Sequence, residues 1–213
     1  MTKTNCYNTD ACNLLLNCGE RFFVNADKLF VEQESSVEYC YLLVSGIVVS
    51  TEITETGIER IYNIFNSGSL LLESNLLSST PTTLGYKALS KAEMIKIDRK
   101  SLLSAMRESE DVMLFVMNNT ADKLESAINR IRENVDHDAE WKVYNILATL
   151  AVDYGKQLGD WIKIELKISQ QVLSNMLMVN RVTVTKAINK MKEDNTVQFS
   201  NGYYYLKTTD MVG

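Results

Sequence analysis

Seven apolar residues near the middle of the chain, Leu114, Met117, Ala121, Leu124, Ile128, Ile131 and Val135, recur at spacings of 3, 4, 3, 4, 3 and 4. Such spacing keeps one apolar stripe on one side of an α-helix through about three heptads. The residues flanking it are charged: Asp122, Lys123, Glu125, Arg130, Arg132 and Glu133. A stripe this narrow, bordered by charge, suits a helix that meets another helix rather than one laid on a globular core. The expectation is a parallel homodimer with these seven positions as its interface.

The two sides of this helix differ in pattern. Residues 20–97 read as short strands: Tyr39 to Val44 is an apolar run, Ser45-Gly46 a turn, and Ile47 to Ile53 a β-branched run. Ile58 to Phe65 alternates in part, as a half-buried strand does, and Ala92 to Ile97 is a further strand. Many short strands with turns at this spacing suggest a barrel or sandwich. Asp98 is a plausible N-cap for a short helix ending near Met106. Beyond the seam the chain reads as a helix from Glu140 to Val152, a stop at Tyr154-Gly155-Lys156 and a strand from Trp161 to Leu166.

Two short helices follow. Ser169 sits at an N-cap position before Gln170 to Leu177, and a second helix runs from Arg181 to about Glu193. In the second, Val184, Ala187, Ile188 and Met191 lie at i, i+3, i+4 and i+7 and share a buried face. Its opposite face then carries Arg181, Val182, Thr185, Lys186 and Asn189, the layout of a helix that enters a major groove. Thr196 to Phe199 and Tyr203 to Leu206 flank Asn201-Gly202, which suits a type I′ hairpin turn. Helix-turn-helix followed by hairpin is a winged helix.

Charge decides whether such a module suits DNA. The whole chain of 213 residues has 22 basic and 27 acidic residues, a net of −5, which argues against a general polyanion binder. From Leu166 to Lys207, however, six basic residues (Lys167, Arg181, Lys186, Lys190, Lys192, Lys207) face two acids (Glu193, Asp194), giving +4. The rest then carries 16 basic and 25 acidic residues, or −9. The overall balance conceals a basic module suited to neutralising phosphates.

Other chemistries find little support. No G-x-S-x-G, P-loop, G-x-G-x-x-G or H-E-x-x-H motif is present, and the single histidine, His137, reads as a hinge or helix-end residue. The protein is not expected to be an enzyme. Met1 to Asn13 is polar and lacks a signal-peptide layout, and no apolar run could span a bilayer, so a cytoplasmic protein without membrane contact is expected. Cys6, Cys12, Cys18 and Cys40 lack the tight C-x2-C pair of common metal and cluster sites, and free thiols are the favoured reading. The alternative uses these four cysteines for an iron–sulfur cluster or a thiol switch; no other cofactor is expected.

Strand-rich domain, long helix and winged helix, in this order, resemble the Crp/Fnr family of bacterial transcription regulators. The stretch Ser169 to Met191 resembles the family's helix-turn-helix, with Arg181, Thr183-Val184 and Lys186 matching its R-x-T-V-x-R pattern. Glu38-Tyr39-Cys40, Leu84-Gly85-Tyr86, Tyr154-Gly155-Lys156 and Ile162-Lys163-Ile164 are similar to the PrfA-like members. The resemblance implies an α+β protein. Its parts are an N-terminal antiparallel β-roll, a cupin-like barrel with a short leader, over residues 1–106, a dimerisation helix over 107–136, and a C-terminal winged helix-turn-helix over 137–213. It also implies a regulator, of the activator type, acting on double-stranded DNA and in contact with RNA polymerase.

The departures from the family pattern bear on the effector. Members that bind cyclic nucleotides carry Gly-Glu and then an Arg-Ser or Arg-Thr pair to hold the cyclic phosphate. Here Leu72 precedes Glu73 where the glycine belongs, and Pro81-Thr82-Thr83 has no arginine. Glu73 alone would set a carboxylate near a phosphate with no cation to offset it. The effector is therefore expected not to be a cyclic nucleotide. The PrfA-like resemblance implies instead a small-molecule pocket in or beside the β-roll, with Tyr62, Leu72 and Glu73 as its candidate residues. At the DNA face the family often uses a glutamate to read cytosine. Val182 at that position can make only apolar contact, so an A·T-rich palindrome is expected. Arg181, Thr185, Lys186 and Asn189 are the candidate base or backbone contacts, with Ser169, Gln170 and Thr183 on phosphates.

Overall fold

In a computed structural model, residues 10–208 are described, without the side chains of 133–136. The elements run α1 (Asp10–Leu16), β1 (Glu20–Val24), β2 (Leu29–Val31), β3 (Tyr39–Ser45), β4 (Val48–Ile53), β5 (Glu59–Phe65), β6 (Leu70–Leu71), α2 (Glu73–Ser78), β7 (Gly85–Ala88), β8 (Ala92–Asp98), α3 (Arg99–Glu108) and α4 (Glu110–Asp136). They continue with α5 (Ala139–Tyr154), β9 (Gly155–Leu158), β10 (Trp161–Ile164), α6 (Gln170–Leu177), α7 (Arg181–Glu193), β11 (Val197–Ser200) and β12 (Tyr203–Lys207). Two compact units divide at Asn129 and Arg130, within α4.

The first unit is the β-roll. Two antiparallel sheets form it, in the orders β1-β8-β3-β6 and β2-β7-β4-β5. The apolar run in β3 has a physical cause, because its alternate side chains enter two different cores. Tyr41 and Leu43 join Val48, Phe65, Tyr86, Ala88 and Met94 in one core, between the sheets. Cys40 and Leu42 join Leu15, Leu102, Val112, Phe115 and Val116 from three helices in the other. A strand covered on both faces loses the alternation that marks a half-solvated one. The turn between β3 and β4 needs a glycine: Gly46 has φ of +92°, and a Cβ there would lie 2.4 Å from the Lys91 carbonyl oxygen.

Helix boundaries follow the capping residues. The Asp98 carboxylate accepts from the Ser101 N–H at 3.0 Å and starts α3. Those hydrogen bonds hold its carboxyl below the usual aspartate range. Asp138 caps α5 in the same way, accepting from the Trp141 N–H at 2.9 Å. His137 directly precedes this cap and stacks on Trp141, with ring centroids 3.5 Å apart.

The second unit combines α5, α6 and α7 with a four-stranded sheet of order β11-β12-β10-β9. Tyr204 and Leu206 on β12 and Val197 on β11 are buried with Val184, Ile188 and Met191 of α7 in this unit's interior. Asn201 and Gly202 both have positive φ, 52° and 84°, as a type I′ turn requires.

Three elements depart from the expectations. Residues read as leader include α1, whose Ala11, Cys12 and Leu15 are buried. The strand region contains the one-and-a-half-turn helix α2. Gly155 does end α5, yet it also begins a strand, β9, paired to β10 from Gly155↔Ile164 to Leu158↔Trp161. A four-residue exposed edge strand has no hydrophobic alternation by which to be read.

Candidate nucleic-acid interface and effector corner

The interface is built by two caps and one tight turn. Ser169 Oγ accepts from the Val172 N–H at 3.2 Å and opens α6; Met178, left-handed with φ of 54°, closes it. Asn180 Oδ1 then accepts from the Thr183 N–H at 2.8 Å and from the Thr183 hydroxyl at 3.0 Å, opening α7. The apolar stripe Val184, Ala187, Ile188 and Met191 is buried as its spacing requires. Arg181, Val182, Lys186 and Asn189 are consequently exposed, with Val182 at 63%.

Thr185 and Thr183 are half-buried at the margin of this face. The Thr185 hydroxyl lies 2.6 Å from Gln170 Oε1 and 2.9 Å from the Arg181 carbonyl oxygen, so its single proton is shared between α6 and its own helix. Gln170 thereby ties the two helices and keeps its amide NH2 for a partner. Lys190, further along α7, is joined at 2.6 Å to Glu140 at the start of α5. That hydrogen bond holds its ammonium above the ordinary lysine range. Of the basic residues on α7, Arg181 and Lys186 share the exposed face with Val182 and Asn189.

On the first unit, Leu114, Met117, Leu124 and Ile128 of α4 are exposed large apolar side chains, Leu124 to 64%, and Ala121 is also exposed. Ile131, in the second unit, is exposed to 67%. The side chain of Val135 lies outside the described residues. A second stripe on α4, Val112, Phe115, Val116 and Asn119, is buried against the roll.

Sequence reasoning missed what lies at the end of that second stripe. Lys123, expected among the solvated flanks of the seam, sends its ammonium to both carboxylate oxygens of Glu73, at 2.7 and 2.5 Å, and to the Leu70 carbonyl at 2.5 Å. The Glu73 side chain is fully buried, while 27% of the Lys123 side chain is accessible. The Thr120 hydroxyl donates to Glu73 at 3.1 Å, and Asn119 Oδ1 accepts from the Leu70 N–H at 3.1 Å. The expectation that Glu73 lacks a cation is therefore corrected. A lysine 50 residues away in sequence supplies it, and local spacing cannot reveal such a partner. Burial lowers the Lys123 ammonium below the ordinary lysine range, partly opposed by Glu73.

Leu72 does occupy a glycine-like backbone, with φ of 64°, and its side chain is buried in the core between the sheets. Tyr62 is placed on the face of β5 opposite the buried Ile61 and donates to Glu52 at 2.5 Å. Leu72 and Glu73 thus share a corner, and Glu73 is joined there by α4 side chains, while Tyr62 is engaged by the neighbouring strand.

Among the cysteines, Cys18 and Cys40 are free thiols, and Cys12 is disulfide-bonded, a correction to the expectation of four free thiols. Compartment and spacing, the basis of that expectation, do not reveal which side chains lie within bonding reach. Cys6 lies outside the described residues. Cys40 is buried under the helices, and its thiol is pushed up to about 12, chiefly by that burial, which disfavours the thiolate that a metal site requires. No group of three or more His, Cys, Asp or Glu is placed to hold a metal ion among the described residues, and no described helix is long and apolar enough to cross a membrane.

Comparison with known proteins agrees with both units. Residues 21–109 match the cyclic nucleotide-binding domain family, and residues 142–212 match the Crp-like helix-turn-helix domain family. The chain is 22% identical over 165 residues to the global nitrogen regulator of Synechocystis sp., covering 76% of this chain and 73% of that protein. It is 21% identical over 166 residues to the CRP-like cAMP-activated global transcriptional regulator of Mycobacterium tuberculosis, covering 78% and 74%. The structure of a CooA variant from Carboxydothermus hydrogenoformans is similar with a TM-score of 0.80 at 19% identity, covering 98% of this chain and 93% of that one. A roll, a long helix and a winged helix whose exposed face has the composition of a groove reader, matched by family models on both units, make this chain a DNA-binding transcription regulator of the Crp/Fnr family.

Proposed function

We propose that the protein acts as a homodimer on a palindromic, A·T-rich duplex, with the α4 stripe as the dimer seam and α7 in the major groove of each half-site. The observation that carries this reading is the exposed face of α7. Arg181, Val182, Lys186 and Asn189 stand clear of the buried stripe on a helix whose start is fixed by Asn180. Arg181 and Lys186 supply bidentate or phosphate donors, Asn189 suits adenine, and Val182 offers a thymine methyl its apolar contact. Ser169, Gln170 and Thr183 lie at the helix starts, where phosphates are met. Dimer symmetry spaces the half-sites about one helical turn apart.

Control by a small molecule other than a cyclic nucleotide, acting in or next to the β-roll, and a contact with RNA polymerase in gene activation complete the proposal. What supports the exclusion of a cyclic nucleotide is the corner: Leu72 and Lys123 fill and neutralise the ground around Glu73. Selection from randomised duplexes followed by gel-shift binding tests the DNA part. Val182→Glu is expected to move preference toward a G·C pair at one half-site position, by about 1–3 kcal/mol. An unchanged site preference sinks the assignment of Val182. Binding that is indifferent to added salt would sink the phosphate contacts as well.

A further inference from the structure

The two-residue strand β6 and the first residues of α2 are gripped from outside the sheets by three α4 side chains. Asn119 takes the Leu70 N–H, Lys123 takes the Leu70 carbonyl and both oxygens of Glu73, and Thr120 adds a hydroxyl to Glu73. Asn119 is itself oriented by its amide, which donates to the Phe115 carbonyl at 3.4 Å. The corner so formed balances one carboxylate against one ammonium. Leu72, held in the left-handed conformation, turns its side chain into the core between the sheets, where it is 2% exposed. Charge and space at the corner are supplied by the chain itself.

The three residues also bear on the open stripe. Lys123 directly precedes the stripe residue Leu124, which places it about 100° around the helix from that position. A turn of α4 large enough to present a different stripe would draw the ammonium away from Glu73 and leave a buried carboxylate without its cation, an arrangement strongly disfavoured.

We propose that Lys123, with Asn119 and Thr120, is a built-in latch that holds α4 on the β-roll and sets the direction of its open stripe without a small molecule in the β6–α2 corner. This inference rests on the stripe being the dimer seam, and it moves any effector site away from the corner to another part of the roll. Lys123 is a positioning residue, acting on DNA binding through the dimer.

The test uses the full chain and the variants Lys123→Met, Lys123→Arg and Thr120→Val. Hydrogen exchange is read over residues 112–124, dimerisation by sedimentation, and affinity on a duplex selected by the unaltered protein. Lys123→Met is expected to speed exchange in α4 at least tenfold while the amides of β3 and β8 keep their rates, and to weaken both dimer and DNA affinity about tenfold or more. Thr120→Val moves the same readouts by a few-fold, and Lys123→Arg restores most of them. Addition of 1 mM 3′,5′-cyclic AMP leaves the unaltered protein's DNA affinity unchanged.

The latch is overturned if the folded Lys123→Met protein keeps normal exchange, dimerisation and DNA affinity, or if cyclic AMP raises DNA affinity tenfold. Should Lys123→Met fail to fold, Thr120→Val decides alone, and normal α4 exchange in that variant overturns the proposal. Exchange in α4 reads the latch even if the protein binds no duplex. In that outcome the DNA reading fails and the latch stands on exchange and dimerisation.

Discussion

Two lysine–glutamate pairs in this molecule have the same chemistry and nearly the same length, yet opposite surroundings. Lys123 and Glu73 meet at 2.5 Å in the first unit with the carboxylate fully buried; Lys190 and Glu140 meet at 2.6 Å in the second with 61% and 35% of their side chains accessible. Burial lowers the Lys123 ammonium below the ordinary lysine range, whereas the hydrogen bond to Glu140 raises that of Lys190. The contrast teaches that contact length does not rank an ion pair. A buried carboxylate has given up its water, so its partner becomes indispensable, while an exposed pair exchanges readily with solvent and salt.

Removing one member of each pair sharpens this contrast. Lys123→Met should lower stability by about 3–5 kcal/mol, because the uncompensated buried carboxylate remains. Replacing both Glu73 and Lys123 by Met should recover much of that loss, and denaturant unfolding measures both. An equal loss in the single and double variants would mean that packing, not charge, holds the corner.

Leu72 tests the other half of the corner. Leu72→Gly relieves a left-handed backbone, worth about 1–2 kcal/mol, but removes a buried side chain whose truncation costs about 2–5 kcal/mol. The expected net is a destabilisation of about 1–3 kcal/mol by the same measurement. A stabilised variant would show that backbone strain outweighs the packing of Leu72.

A smaller effect concerns pH. The Cys40 thiol is raised from 9.0 to about 12, so the unfolded chain releases this proton near pH 9 while the folded chain retains it. Stability contributed by the protonated thiol is complete below pH 9 and is lost as pH rises toward 12. The slope from this group is about 1.4 kcal/mol per pH unit within that window. Cys40→Ala should flatten the stability profile, most cleanly between pH 9 and 10, since Tyr204, raised from 10 to about 12, adds its own slope above 10. An unaltered profile would remove Cys40 from the account.

The exposed pair should give the smallest response. Lys190→Gln is expected to leave the melting temperature unchanged and to reduce the salt dependence of DNA binding by at most one phosphate's worth, about 0.9 in slope. A large loss of stability there would overturn the contrast.

The elements that the sequence revealed are those with local signals. Asp98, Ser169 and the Asn201-Gly202 turn mark boundaries by their own hydrogen bonds and torsions, and the periodicities of α4 and α7 mark their faces. The exposed set on α7 followed from those faces. What escaped lacks such signals. α2 is too short for periodicity, β9 is an exposed edge, and the second stripe on α4 turns polar at Asn119 and Lys123 just where it meets Leu70 and Glu73. Lys123 looked like one more charged flank because its partner lies in a different element.

By itself, then, the sequence determined most of the strand and helix segments, where the basic module lies, and which face of α7 is exposed, because these depend on neighbours within a few residues. Only the tertiary structure decided that Glu73 has a cation, that the cation comes from α4, and that Leu72 fills the core beside it. Those facts depend on which side chains meet after the chain has folded back on itself, and on the loss of water that makes their meeting obligatory.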